Sequence, residues 1–378
     1  MWPAMKHSIY ADNAATTKLD IDAFEAMKPF LLKDYGNASQ PYALARKPKK
    51  ALAKARATIA DCIGAMPEEI YFTSGGTESD NWAIKGIAEP EKKHGTITSQ
   101  IEHHAVLNTC GTLECFGYPV VYLPVNAGGT VTPKVLEDAI TQQTRLVSVM
   151  LVNNEIGAIE PIKELAAVAH AHAALFHTDA VQAVGHIPID VNELRVDMLS
   201  ASGHKFNGPK GIGFLYVRKG TNLMPYANGG AQERGMRAGT ENVASIVGMA
   251  TALKKNCDEM QRTTEKLHVM EHDFLDALHI ADIDFIRNGS EKRAPGNISI
   301  SIRGASGEML LHRLDLNGIS ISTGSACDSV NIQVSHVIQA IGVPQEYAEG
   351  TIRVSFGRDN KVEDAAEVAK AIVGILRK

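Results

Sequence analysis

The sequence predicts an α/β domain with a mostly parallel sheet, joined to a smaller α+β domain. Three observations predict it. Short apolar runs alternate with amphipathic ones from Ile70 to Val217. A lysine, Lys205, is pinned in a Gly/Ser-rich turn between two strand-like runs. The chain has 378 residues, 44% of them hydrophobic, enough for one large core and a second smaller one.

Met1 to His7 reach a strand-like Ile9-Tyr10 without the apolar core of a signal segment, and no apolar run approaches the roughly 20 residues of a membrane span. The expectation is a soluble, cytoplasmic protein. Lys47 to Ile63 has helix-forming composition with apolar spacing near a helical turn. The strand candidates follow in order: Ile70 to Phe72, Gly95 to Thr98, Val120 to Leu123, Leu146 to Met150, Ala174 to His177, Met198 to Ser200 and Phe214 to Val217. A helix from Ile162 to Ala174 begins after Pro161. In such a sheet, ligands sit at the carboxyl ends of the strands.

A long helical pattern from Val243 to about Leu278 bridges to the second domain. That domain reads as strand Asn297 to Ile302, a helix near Glu308 to Leu314, strand Ile319 to Ile321, another helix, and strand Thr351 to Phe356. The expected division is 15–255 for the large domain, with 1–14 and 256–378 forming the small one. No internal repeat or low-complexity linker interrupts the pattern.

The net charge of −5, from 38 basic and 43 acidic residues, gives no global attraction to polyanions, so direct nucleic-acid binding is not expected. The basic run Arg46-Lys47-Pro48-Lys49-Lys50 reads as a solvated helix face. Five cysteines, Cys62, Cys110, Cys115, Cys257 and Cys327, are odd in number and widely scattered. They fit neither a disulfide framework nor a metal knuckle, which points to a reducing cytoplasm and no metal site. Cys62 lies in an apolar stretch and reads as core, while Cys110, Cys115 and Cys257 show no ligand pairing.

Three segments carry chemistry. Phe72-Thr73-Ser74-Gly75-Gly76-Thr77-Glu78-Ser79 follows a strand and opens a helix. Its backbone around Gly76 and the Thr77 hydroxyl suit a phosphate at the positive helix end. Asp179 closes an apolar run, where a carboxylate is costly unless it meets a cation. A protonated pyridine nitrogen is such a cation, and Gln182, one turn on, lies within reach of a ring hydroxyl. Lys205, some two dozen residues later, supplies an amine for a Schiff base. Phosphate cup, ring partner and amine together predict a pyridoxal 5′-phosphate enzyme.

With these motifs in place, the chain resembles the cysteine desulfurase family, of the class V aminotransferase group with the fold type I architecture. The resemblance runs from Ile9-Tyr10-Ala11-Asp12-Asn13-Ala14-Ala15-Thr16-Thr17 to Arg353-Val354-Ser355-Phe356-Gly357-Arg358 and so covers almost the whole chain. It implies that His103, in Ile101-Glu102-His103-His104, stacks on the cofactor ring and takes part in proton transfer, with His104 a structural neighbour. It implies that Asn154, in Asn153-Asn154-Glu155-Ile156-Gly157, contacts the ring oxygen and the substrate carboxylate. Ser202 and His204 match phosphate contacts, and Thr77 matches the phosphate cup. Thr240, in Arg237-Ala238-Gly239-Thr240-Glu241-Asn242, matches the residue that reaches the phosphate of the neighbouring subunit, implying a homodimer with shared active sites. Arg353 matches the clamp for the substrate α-carboxylate, a task suited to a planar guanidinium.

The discriminating residue is Cys327, in Ser322-Thr323-Gly324-Ser325-Ala326-Cys327-Asp328-Ser329. It lies in a polar Gly/Ser-rich loop rather than on an apolar face, and the Gly-Ser-Ala-Cys match makes it the nucleophile. The implied reaction converts L-cysteine to L-alanine, with sulfur passing to a Cys327 persulfide and on to an acceptor protein, for example an iron-sulfur scaffold or a tRNA-thiolation enzyme.

Two departures stand out. Tyr42, in Asn37-Ala38-Ser39-Gln40-Pro41-Tyr42, replaces a histidine usual in the family, and Gln333-Val334-Ser335-His336 replaces Glu-Pro-Ser-His. The rival chemistries are another pyridoxal-dependent aminotransferase or lyase, such as a selenocysteine lyase, and a sulfur-transfer scaffold without catalysis. Transamination needs no nucleophilic cysteine, and a scaffold needs neither Lys205, Asp179 nor His103.

Overall fold

The computed structural model describes residues 8–88, 93–323 and 334–377. The candidate nucleophile Cys327 and the departure at Gln333 lie outside the described residues.

The predicted strands assemble into one seven-stranded sheet. Across it run Ile70–Thr73, Gly213–Val217, Met198–Ser202, Leu175–Asp179, Thr144–Ser148, Gly95–Ser99 and Val120–Leu123. Six strands share one direction, and Gly213–Val217 runs antiparallel to both its neighbours. Every residue of Gly95–Ser99, Met198–Ser202 and Gly213–Val217 is buried, as expected of a sheet covered by helices on both faces. The mostly parallel α/β architecture is therefore the observed one. The fourth strand candidate sits two residues earlier than its apolar run suggests. Val149 and Met150 are buried in the loop that leaves the strand, so burial alone gave them strand-like character.

Local signals set the helix ends. Asn242, Thr132 and Asp190 cap the helices Val243–Asp258, Pro133–Ala139 and Val191–Leu194 by accepting backbone N–H bonds with their side chains. The helix Arg46–Ile63 stops at Gly64, which takes a left-handed φ of 70°. Arg46, Lys47, Lys49 and Lys50 at its start are exposed, the solvated face read from sequence.

The single long helix expected from Val243 to Leu278 is two helices, Val243–Asp258 and Met260–Ile280, meeting at Glu259. The break separates two cores. Ile246, Met249 and Leu253 of the first helix join Ile59, Phe72, Phe176, Leu199 and Phe214 around the large sheet. Leu267, Met270 and Phe274 of the second join Ile298, Ile300, Ile352, Val354 and Ile372. A continuous apolar pattern could not reveal this, because each half serves a different core with the same periodicity.

The second core holds a three-stranded antiparallel sheet, with Asn297–Ile302 between Thr351–Ser355 and Phe285–Arg287. Ile9–Tyr10 pairs in parallel with Ile319–Ser320, and Ile9 and Ala11 are buried in this core. The turn that follows, Asp12 to Thr17, crosses to the large sheet. There Thr17 donates through N and Oγ1 to the His204 carbonyl at 2.9 and 2.8 Å. Among the described residues, no helix is long and apolar enough to cross a membrane.

Candidate active site

The carboxyl ends of the parallel strands open into a cavity of about 640 Å³, within the range of about 300–1,000 Å³ usual for small-molecule sites. The chain leaves Ile70–Thr73 toward Gly76 and Thr77, Gly95–Ser99 toward His103, and Thr144–Ser148 toward Asn154. Leu175–Asp179 ends on Asp179 itself, and Met198–Ser202 ends on Ser202 just before His204 and Lys205. All these residues line the cavity, together with Gln182 and Arg353. Parallel strands place their outgoing loops on one edge, so a topological rule brings together residues far apart in sequence.

At one end the helix Gly76–Lys85 begins, with Gly75 as its N-cap at φ 154°. A side chain at Gly76 is excluded, because a Cβ there would lie 2.5 Å from Val181 Cγ2. Bare backbone at a helix N-terminus, flanked by Thr77, Ser202 and His204, has the donor chemistry of a phosphate cradle. His204 is fixed by a 3.0 Å hydrogen bond between Nδ1 and Thr16 Oγ1, and burial and the nearby Lys205 bring its pKa down to about 4.

Lys205 Nζ donates to the carbonyls of Ala14 and Ala15 at 2.7 and 2.9 Å, and Gln182 Nε2 donates to Ala14 at 2.8 Å. The N-terminal turn thus holds the amine at the cavity wall. Asp179 is buried and accepts the Val181 N–H at 2.9 Å. Burial pushes its carboxyl above the usual range, while the Val181 N–H and Lys205 oppose the rise. A buried carboxylate facing a cavity is the group a protonated ring nitrogen would satisfy.

His103 caps the helix His104–Cys115, its Nδ1 accepting the Ala105 N–H at 3.1 Å. Burial, Lys205 and His104 lower its pKa to about 4. It is therefore neutral at pH 7, and with Nδ1 occupied as an acceptor the proton sits on Nε2. Arg353 is buried on the opposite wall. Its Nη2 donates to Asp12 Oδ1 at 2.7 Å and its Nη1 to the Asn154 carbonyl at 2.8 Å. Its Nε has no hydrogen-bond partner among the described residues.

Thr240 is the candidate that does not line the cavity: it is exposed. Its segment is nevertheless tied to the Gly76 end of the cavity, since Arg237 Nε donates to Glu78 Oε1 at 2.9 Å. Tyr42 is exposed and also lies off the cavity lining.

Sequence reasoning missed three lining groups. Glu102 is fully buried, and Oε1 accepts from Ser99 Oγ at 2.6 Å and Met150 N at 3.0 Å. Burial, against these two donors, raises its pKa to about 8. Asp80 is buried 3.7 Å from His177 Nε2, and burial and Asp179 push its carboxyl well up. His336 lies against the His104 ring, with centroids 5.1 Å apart, and its Nε2 is 3.1 Å from the Glu102 carbonyl. Glu102 stood inside a quoted motif and Asp80 directly after another. A charged residue beside an apolar strand end was the available signal.

The model of the aminotransferase class-V family matches residues 9–368. The cysteine desulfurase IscS of Dictyoglomus turgidum is 47% identical, over 99% of this chain and 96% of its own length. That of Methanosarcina thermophila is 46% identical, over 98% and 92% respectively. Among solved structures, a NifS-like protein superposes with a TM-score of 0.92 at 36% identity, covering 98% of this chain and all of its own. SspA in complex with cysteine gives 0.83 at 38% identity, covering 93% and 99%. A family match over almost the whole sequence, on a fold whose strand ends gather the expected amine and carboxylate, means that this chain belongs to the class-V aminotransferases, as one of their cysteine desulfurases.

Proposed function

We propose that this cysteine desulfurase works with pyridoxal 5′-phosphate held by Lys205, and that Cys327 is the thiol that accepts sulfur from L-cysteine. The observation that carries the reading is the convergence of Lys205, Asp179 and Arg353 on one cavity. The residues present fit the cofactor: a cradle at Gly76 with no room for a side chain, and a buried Asp179 whose carboxyl calls for a cation.

When bound, the cofactor supplies an electron sink for negative charge developing at the substrate Cα. Gly76, Thr77, Ser202 and His204 would hold its phosphate, and Thr240 would complete that site from the partner subunit of a homodimer. Asp179 would keep a proton on the ring nitrogen, and Gln182, Asn154 and His103 would hold the ring. Arg353 and Asn154 orient the substrate α-carboxylate. Lys205 moves the proton at Cα, and His103 holds the exchangeable proton on Nε2.

The Cys327 thiolate attacks the substrate sulfur. The C–S bond breaks as the S–S bond forms, so L-cysteine and one enzyme thiol become L-alanine and one enzyme persulfide. An acceptor protein then takes the outer sulfur. The solved SspA that resembles this chain holds cysteine, which supports the substrate assignment. The same reading takes the two cores as two domains, 15–255 and 1–14 with 256–378, with Cys327 on the small one, and places the enzyme in the cytoplasm.

The test is release of alanine and sulfide from L-cysteine by purified protein with a reductant, beside Cys327→Ser and Lys205→Ala. Equal yields of the two products, lost by about 10³-fold or more in both variants, support the reading. Turnover insensitive to Cys327→Ser points to an aminotransferase or lyase. A colourless protein that takes up no pyridoxal phosphate points to a scaffold.

A further inference from the structure

The helix Gly76–Lys85 carries a charge of the wrong sign for a phosphate. Glu78 stands in its first turn, directly after Thr77, and lines the cavity. A carboxylate there complements the helix dipole, but it repels an anion brought to the same end. Its Oε2 accepts the Ser74 N–H at 3.1 Å, and Arg237 closes on it as a fork, with Nε to Oε1 at 2.9 Å and Nη2 to Oε2 at 3.2 Å. Burial pushes the Glu78 carboxyl up, yet Arg237 and Ser74 hold it below the usual range. Glu78 is therefore ionised, and Arg237 matches its charge.

The chain just before Arg237 is strained and clamped. Three successive residues are left-handed, Glu233 at φ 44°, Arg234 at 59° and Gly235 at 77°. Two of them are not glycine, and such strain persists only where the surroundings over-determine the turn. Glu233 is buried and accepts Arg56 Nη2 and Nη1 at 2.6 and 2.8 Å and the Phe72 N–H at 3.0 Å. Arg234 Nη2 donates to the Ile70 carbonyl at 2.9 Å, and its guanidinium lies 3.9 Å from the centre of the Tyr71 ring. The turn is thus fastened along Ile70–Thr73, an edge of the large sheet, whose end leads directly to Gly76. Beyond the turn, Tyr226 N donates to the Met236 carbonyl at 2.8 Å and Ala238 N to the Ala227 carbonyl at 3.1 Å, which fixes the backbone on either side of Arg237.

We propose, on the reading that Gly76 and Thr77 hold the cofactor phosphate, that Arg237 is a positioning residue which masks Glu78 so that this helix end accepts a dianion. The clamped turn Glu233-Arg234-Gly235 holds it in place. Preference for a phosphorylated cofactor is then set by a charge pair outside the cradle itself. With Glu78 masked, pyridoxal 5′-phosphate gains from the helix N-terminus that pyridoxal cannot use. With Glu78 bare, that advantage is lost to repulsion.

The experiment titrates the full-length, cofactor-free protein with pyridoxal 5′-phosphate and, separately, with pyridoxal, following the absorbance change on binding. In Arg237→Gln the affinity for pyridoxal 5′-phosphate is expected to fall about 10–100-fold while that for pyridoxal stays within about threefold. High salt should shrink the loss, because it screens the exposed charge. Glu78→Gln alone should bind pyridoxal 5′-phosphate at least as tightly as the wild type. Added to Arg237→Gln it should restore the affinity, which a merely structural loss of the fork would not allow. Equal losses for the two ligands in Arg237→Gln, a weaker Glu78→Gln, or a double variant without rescue overturns the proposal. A wild-type protein that binds pyridoxal 5′-phosphate no better than pyridoxal overturns the phosphate cradle itself, and the proposal with it.

Discussion

Asp179 and Arg353 face the same cavity from walls built in different ways. Asp179 ends a strand of the large sheet, and its carboxylate accepts from the Val181 N–H, two residues on. His103, on the same wall, accepts from Ala105, also two residues away. Arg353 comes from the second sheet. Its anchors are Asp12, 341 positions earlier, and the carbonyl of Asn154, 199 positions earlier. The first wall is assembled by local turns at strand ends, so its geometry follows once the sheet forms. The second exists only when the N-terminal turn and both cores are packed together. One wall therefore carries groups whose charge is tuned by burial, and the other carries a charge already neutralised by a long-range partner.

Substitutions on each wall sharpen this contrast. The largest effect is expected from Asp179→Ala, which removes the group proposed to keep the ring nitrogen protonated. Steady-state kinetics should show kcat falling about 10²–10³-fold with KM little changed. A variant with near-native turnover would break the assignment.

Arg353→Lys keeps the charge but loses the planar fork held by Asp12 and Asn154. Here the loss is expected mainly in KM for L-cysteine, about 10–100-fold, as befits a charge-assisted hydrogen bond of about 1.5–3 kcal/mol. A pure kcat effect would place Arg353 outside substrate binding.

The smallest effect concerns stability. Glu102 has its folded pKa raised to about 8 by burial, so its contribution is present below the ordinary carboxylate range and is lost as pH rises through about 8. His103 and His204, lowered to about 4, act the other way. Their contribution is complete above the ordinary histidine value and is lost as pH falls toward about 4. Between pH 6.5 and 8 only the carboxyl limb operates. Glu160, raised to about 9, shares it. Denaturant melts of the cofactor-free protein should lose stability across that interval, and Glu102→Gln should remove about 1.5 kcal/mol of the loss. An unchanged slope in the variant would show that Glu102 is ionised in the folded state.

The same division governs what could be read in advance. Gly76, Asp179 and Lys205 announced themselves because each stands in a turn beside an apolar run, and short-range pattern is what fixes a turn. Arg353 was recognised only through its resemblance to a family motif, since nothing near it in sequence names Asp12 as its partner. The break at Glu259 left no trace in the apolar periodicity. Asp80 and Glu102 were passed over because sequence cannot tell a solvated carboxylate from one that lost its water on folding.

By itself the sequence determined the parallel α/β architecture, the strand ends that bear Gly76, Asp179 and Lys205, and the family. Alternating hydrophobicity and turn residues act over a few positions, and strand direction then sends every loop to one edge. Tertiary structure alone decided which distant groups touch. It closed Arg353 onto Asp12 and buried Glu102 deep enough to hold a proton. Burial and proximity between far segments are properties of packing, and no local pattern encodes them.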